Sequence, residues 1–204
     1  MADLNRGQTL LHLARAAIGK ELGFLSHELP HVAWLEEPGA TFVTLTLRGK
    51  MRGCVGSLET TRPLIEDVRK NAVAAAFHDP RFAPLTKAEF AEAVIDVALL
   101  STHETLRCGS EQEALAQLNP GLDGVVLEYN PAGASAKTPD EHPRKATFLP
   151  HAWIDLPDPR AYLAHLKSQA GLDEDFWSED IRLSRFNVRK WREGGRREGE
   201  EQHG

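Results

Sequence analysis

A fold that mixes helices with an antiparallel sheet is predicted by three stretches of the sequence. Thr, Val, Phe and Leu alternate over Thr41 to Arg48, and after Gly49-Lys50 the run Arg52 to Leu58 follows. Together these read as a β-hairpin with a glycine-first two-residue turn. Val94 to Leu100 is apolar except for Asp96, the pattern of a strand covered on both faces in the middle of a sheet. Thr86-Lys87-Ala88-Glu89 and Ser110-Glu111-Gln112-Glu113 are capping boxes, in which a hydroxyl and a carboxylate satisfy the free amides of a helix start. The 204 residues, 41% hydrophobic and 26% charged, suffice for one sizeable core or for two small subdomains sharing an interface.

The elements follow in order. Leu10, Leu11, Ala14, Ala17, Ile18 and Leu22 recur at helical spacing, which predicts a helix from about Gln8 to Leu22. Phe24 to Gly39 is irregular, broken by Pro30 and Pro38; His27 and His31 are four apart, but Pro30 between them argues for exposed loop histidines over a metal pair. After the hairpin, Thr60-Thr61-Arg62-Pro63 supplies a capping hydroxyl and a first-turn proline for a helix to Phe77. The small side chains of Asn71 to Ala76 let a backbone approach closely, so this helix should lie against the sheet. His78-Asp79-Pro80-Arg81-Phe82-Ala83-Pro84 ends it in a stiff turn, because each proline fixes its own φ and restricts the residue before it. Asp79 has the wrong sign for a helix C-terminus, which points to a pairing with Arg81 or another cation.

Beyond the second capping box, Asn119-Pro120-Gly121 closes a helix and Gly124 to Tyr129 is a strand. Asn130 to Lys145, rich in Pro, Ala, Gly and charge, reads as a mobile connection before a strand over Ala146 to Leu149. Asp158-Pro159 opens a helix that Gly171-Leu172 ends, and Ile181 to Trp191 alternates as a last strand. From Arg192 onward Arg, Glu and Gly dominate, the composition of a disordered tail.

The chemistry concentrates in Arg52-Gly53-Cys54-Val55-Gly56-Ser57. Strand alternation puts Arg52 and Cys54 on one face with Gly56 next in the row, so that a guanidinium and a thiol border a notch. Two registers are open. A Gly49-Lys50 loop sets Cys54 against Leu45, among apolar neighbours; a three-residue loop with a bulge sets Arg52 and Cys54 beside Thr46 and Thr44, where the thiol is polar and reachable. Free cysteine is among the most buried residue types, so burial is the default.

Composition removes several classes. The start, Met1 to Arg6, is polar and no apolar run reaches the length of a membrane span, so the cytoplasm is the expected location. Cys54 and Cys108 lie far apart in unlike contexts, which suggests neither a disulfide framework nor a zinc site. The net charge of -6 and 7% aromatic content argue against a nucleic-acid binder, and Arg182, Arg185, Arg189, Lys190 and Arg192 read as solvated residues along an edge strand. Gly53 to Gly56 lacks the strand-to-helix setting and the lysine of a phosphate-binding loop.

Phe42-Val43-Thr44-Leu45, Met51-Arg52-Gly53-Cys54-Val55-Gly56-Ser57, Ala74 to Leu85 with its Asp-Pro-Arg-Phe core, Ala146-Thr147-Phe148-Leu149-Pro150 and Gln169-Ala170-Gly171-Leu172 resemble the AMMECR domain family, whose prokaryotic members are called AmmeMemoRadiSam system protein A. The resemblance covers residues 8–191 and leaves 192–204 as the tail. It implies an α+β fold, an antiparallel sheet with flanking helices in a larger subdomain that holds both termini, and a smaller subdomain packed on it with the cysteine run near the cleft. It also implies a Memo-like protein and a radical S-adenosylmethionine enzyme as partners. His151 and the long Asn130 to Lys145 connection depart from the family pattern and are not read as shared machinery.

Three functions are consistent with these residues. In the first, the chain is an accessory component that binds a small anionic ligand in the cleft through Arg52, Gly53, Cys54, Gly56, Asp79 and Arg81, the two arginines offering planar forks to a carboxylate or phosphate. In the second, those guanidiniums favour a Cys54 thiolate that acts as a catalytic nucleophile. In the third, the chain is a protein-interaction adaptor: Arg81 bridges Asp79 and loop carbonyls, Arg52 pairs with Glu59 or Glu66, and Cys54 fills space under the helix. The sequence names no cofactor.

Overall fold

The structure, a computed structural model, describes residues 2–24, 32–131 and 143–194. The elements are α1 (Ala2–Glu21), β1 (Thr41–Leu47), β2 (Lys50–Gly56), α2 (Leu64–Phe77), α3 (Lys87–Glu92), β3 (Val94–Leu100), β4 (Glu104–Thr105), α4 (Glu111–Leu115), β5 (Gly124–Tyr129), β6 (Arg144–Phe148), α5 (Pro159–Gln169), β7 (Ile181–Phe186) and β8 (Val188–Arg192). They form an α+β fold of two compact units, one built from the described residues of 1–100 and 189–204, the other from those of 101–188. Each unit has its own four-stranded sheet, in the orders β2-β1-β3-β8 and β4-β7-β5-β6. Both sheets are antiparallel wherever the pairing is resolved.

In the first unit β3 is an interior strand, as its apolar run predicts. Val43, Leu45, Ile95 and Val97 are fully buried and cluster with Leu10, Ile18, Val68 and Ala72 of α1 and α2. Alternation places Thr44, Cys54 and Asp96 on the opposite face of this sheet. In the second unit Val125, Leu127 and Leu183 of its sheet cluster with Tyr162, Leu163 and Leu166 of α5. The Tyr162 ring stacks on Trp153 with centroids 3.7 Å apart. Among the described residues no helix is long and apolar enough to cross a membrane.

Several expectations are corrected. The Ile181 to Trp191 run is two strands in different sheets, because Asn187 interrupts it; Arg182 and Arg185 lie on β7, an interior strand, and only Arg189, Lys190 and Arg192 lie on the edge strand β8. Arg192 is the last residue of β8, and the Glu193 carboxylate accepts from Arg15 and from the Ile95 amide, so these two positions belong to the fold. His27, His31, most of the Asn130 to Lys145 connection and residues 195–204 lie outside the described residues.

The helix after the hairpin starts at Leu64, with Pro63 as N-cap and no hydroxyl cap. In place of that cap, buried Asp67 on the first turn reaches out of the helix. Its carboxylate accepts from the Thr41 amide at 2.8 Å, the Thr41 hydroxyl at 2.7 Å, the Ser57 hydroxyl at 2.7 Å and the Asn71 amide at 2.9 Å. A buried carboxylate is tolerated only when so many donors surround it, and here they pin the start of β1 and the residue after β2 to α2.

The hairpin turn is Arg48-Gly49, with φ of 52° and 77°, and Leu47 pairs with Lys50. Positive φ at both turn residues matches the strand twist, which is why the turn sits one residue earlier than Gly49-Lys50. The register slips between Leu45 and Thr46, so that Arg52 is an extra residue in β2 and Cys54 lies opposite Thr44. The polar register therefore forms, through a two-residue turn and a bulge.

Gly53 faces α2 so closely that a Cβ there would lie 2.0 Å from the Ala75 carbonyl oxygen. The helix backbone cannot move aside without breaking its own hydrogen bonds. Gly53→Ala should therefore cost about 1–3 kcal/mol in urea unfolding, the range for overpacking a tight contact. Gly109→Ala, whose new Cβ would meet only the Glu113 carboxylate at 3.8 Å, should be close to neutral. Equal stability of the two variants would contradict the close approach.

Candidate functional site

β2 is an edge strand, and in the Cys54–Thr44 pair the Cys54 amide and carbonyl point away from β1. Both are met by side chains of the corner after α2. Asp79 Oδ2 accepts from the Cys54 amide at 2.9 Å, and Arg81 Nη2 donates to the Cys54 carbonyl at 3.3 Å. The two side chains also hold each other: Arg81 Nε donates to Asp79 Oδ1 at 2.9 Å and Nη2 to Oδ2 at 2.7 Å. Asp79 and Arg81 thus occupy the place of a neighbouring strand at one residue of β2, a common need at an exposed sheet edge.

The local sequence explains why the corner can do this. The His78 amide closes α2 on the Ala74 carbonyl at 2.8 Å, Pro80 turns the chain, and the Leu85 amide returns to the Ala76 carbonyl at 2.8 Å. Asp79 is buried, and the Arg81 hydrogen bond, with the Cys54 amide second, holds its carboxyl well below the usual carboxylate range. The same pairing raises the Arg81 guanidinium above its ordinary value.

Arg52 anchors the corner at its other end. Its Nε donates to Glu89 Oε1 at 3.0 Å, and its Nη2 donates to Glu89 Oε2 at 3.2 Å and to the Ala83 carbonyl at 2.8 Å. The expected partners Glu59 and Glu66 are replaced by Glu89, because the bulge at Arg52 and the start of α3 come together. Glu89 completes the predicted capping box with Thr86 at the same time. Arg52 and Arg81 approach one aromatic ring, their Cζ atoms lying 5.8 Å and 5.5 Å from the Phe82 centroid. Arg52 Nη1 is buried and has no hydrogen-bond partner among the described residues.

The predicted site residues therefore separate. Arg52, Asp79, Arg81 and the Cys54 backbone converge on the corner. Gly53 faces the helix, and the room beside Gly56 is filled by the Phe42 ring, which lies 2.2 Å from where a Cβ would stand. The notch expected there is a packing contact. The Cys54 thiol is half-buried and accepts from the Thr44 hydroxyl at 3.1 Å. Across β1 from it, Asp96 is paired with Arg192 at 3.3 Å. Cys108 lies in the other unit, where burial and the nearby Glu113 push its thiol up. His151 lines an apolar pocket of that unit with Pro120, Trp153 and Ile154.

Sequence reasoning placed Thr44 beside Cys54 in the bulged register but missed Glu89 and Phe82 as members of the site. Phe82 followed from its place between Arg81 and Pro84, but nothing along the chain links Glu89 to Arg52, 37 residues away.

The Glu89 carboxyl is lowered from 4.5 to about 2, chiefly by the Arg52 hydrogen bond. A carboxylate depressed in the fold stabilises it above its unfolded value, and that contribution is lost as pH falls from about 4.5 toward 2. Glu89→Gln keeps the capping geometry and removes the titration. Urea unfolding across the acid range should show a shallower loss of stability for the variant in that interval, and an unchanged slope would contradict the Arg52–Glu89 pairing.

The sequence profile of the AMMECR1 family matches residues 11–191. A protein of Sulfolobus acidocaldarius is 32% identical over 200 residues, which cover 94% of this chain and 84% of that one. A protein of Methanocaldococcus jannaschii is 32% identical over 202 residues, covering 95% and 92%. The crystal structure of an uncharacterised protein from Pyrococcus horikoshii is similar with a TM-score of 0.70 and 28% identity, covering 92% of this chain and 91% of that one. With a match over nearly its whole length in sequence and in fold, the chain belongs to the AMMECR1 family.

Proposed function

We propose that the chain is an accessory component of an AmmeMemoRadiSam-type system, acting beside a Memo-like protein and a radical S-adenosylmethionine enzyme, and that it binds a small anion at the Phe82 ring through Arg52 and Arg81. The partners rest on the family resemblance. The anion rests on one observation, the buried Arg52 Nη1 that has no hydrogen-bond partner among the described residues. A buried donor left unmade costs about 1–3 kcal/mol, which an acceptor at that position recovers. Arg81, whose side chain is 55% exposed, offers the accessible half of the same site.

The ion pairs with Glu89 and Asp79 fit this reading. They fix two planar forks beforehand and leave part of each free to donate. They also make the site close to neutral, so recognition comes from directed hydrogen bonds and not from long-range attraction. A planar carboxylate or a phosphate oxygen is the acceptor such a fork suits.

Thermal unfolding with phosphate and with mono- and dicarboxylates, each against chloride at equal ionic strength, tests the site. At about a hundredfold excess over Kd, stabilisation is about 2.7 kcal/mol, a rise of several degrees in Tm. Arg52→Lys and Arg81→Lys, which keep the charge and lose the fork, should abolish the rise. No anion exceeding chloride would remove the ligand half of the proposal. Failure of tagged chain to recover either partner protein on co-expression would remove the other half.

A further inference from the structure

We infer that the corner formed by residues 78–85 covers an edge that would otherwise pair with β2 of a second copy of this chain. Three observations carry this. β2 ends its sheet, and the outward groups of Cys54 are satisfied by the Asp79 and Arg81 side chains alone, with no backbone hydrogen bond joining the corner to β2 among the described residues. The next outward-facing residue, Gly56, has no comparable cover among the described residues. Arg52 is a bulge residue, and its side chain ties the same corner down at Ala83. Side-chain cover and a bulge are the two ordinary means of blunting a sheet edge.

The strand is suited to itself. An antiparallel pairing with a two-fold axis at Cys54 sets Gly56 of one copy against Arg52 of the other, the smallest residue against a large one. It also brings Lys50, the exposed first residue of each strand, toward Glu59 beyond the other strand's end, so the charges are complementary. The pairing would join two four-stranded sheets into one and place the two Cys54 residues side by side.

The test uses the full chain in a Cys108→Ser background, so that Cys54 is its one thiol. Arg52→Ala, Asp79→Gly and Arg81→Gly together release the corner. The released variant should double its apparent mass in light scattering with an unchanged circular dichroism spectrum, and a short bismaleimide should link the copies through Cys54. The parent should stay monomeric. A folded released variant that remains monomeric, or that dimerises without a Cys54 link, overturns the inference. If release prevents folding, hydrogen exchange of the parent decides: a Cys54 amide protected well beyond that of Gly56 supports the cover, and equal exchange at the two overturns it.

Discussion

One carboxylate organises the geometry of this chain's first unit. Asp79 accepts from the Cys54 amide at an open sheet edge and from the Arg81 guanidinium, and is buried while doing so. A buried carboxylate is costly unless its oxygens are fully engaged, so the same bonds that make Asp79 tolerable also fix where the corner lies. The Arg-Gly-Cys run and the Asp-Pro-Arg-Phe run, separate along the chain, are two sides of this one contact.

The rest of the unit is arranged to make that contact possible. Gly53 lets α2 settle on β2, which brings the end of the helix, and hence Asp79, level with Cys54. Asp67 ties the first turn of the same helix to Thr41 and Ser57, so the helix is held to the hairpin at both ends. Arg52 then closes the far side of the corner through Glu89 and Ala83. The surface that results carries two guanidiniums over Phe82, and the thiol of Cys54 lies on the strand they clamp. The proposed binding and the proposed edge protection are compatible, because the first would draw on the donors that the second leaves over.

Local signals in the sequence were legible where one short stretch determines the outcome. The Thr86–Glu89 capping box, the interior strand Val94–Leu100 and the Asp158-Pro159 helix start all depend on a few neighbouring residues, and they formed as written; of the second capping box only the Ser110 hydroxyl half formed, because the Glu113 carboxylate accepts from the Gly109 amide instead. The Asp79–Arg81 pair was legible for the same reason. What failed depended on contacts between distant residues. Which of the two registers formed was settled by a turn and a bulge acting together, the break at Asn187 divided one alternating run between two sheets, and Glu89 reached Arg52 only through the folded corner. Gly56 was misread because a missing side chain in a strand leaves room either for a ligand or for a neighbour, and the neighbour Phe42 lies on another strand.

The central claim, that the Asp79 contact and the Arg52 clamp hold one corner to one strand, is tested most directly by a double-mutant cycle in urea with Asp79→Ala and Arg52→Ala. Once either contact is lost the corner is partly loosened, so the second substitution should cost less than it does alone, with a coupling energy of about 0.5–3 kcal/mol. Costs that simply add would show two independent surface contacts and contradict the account.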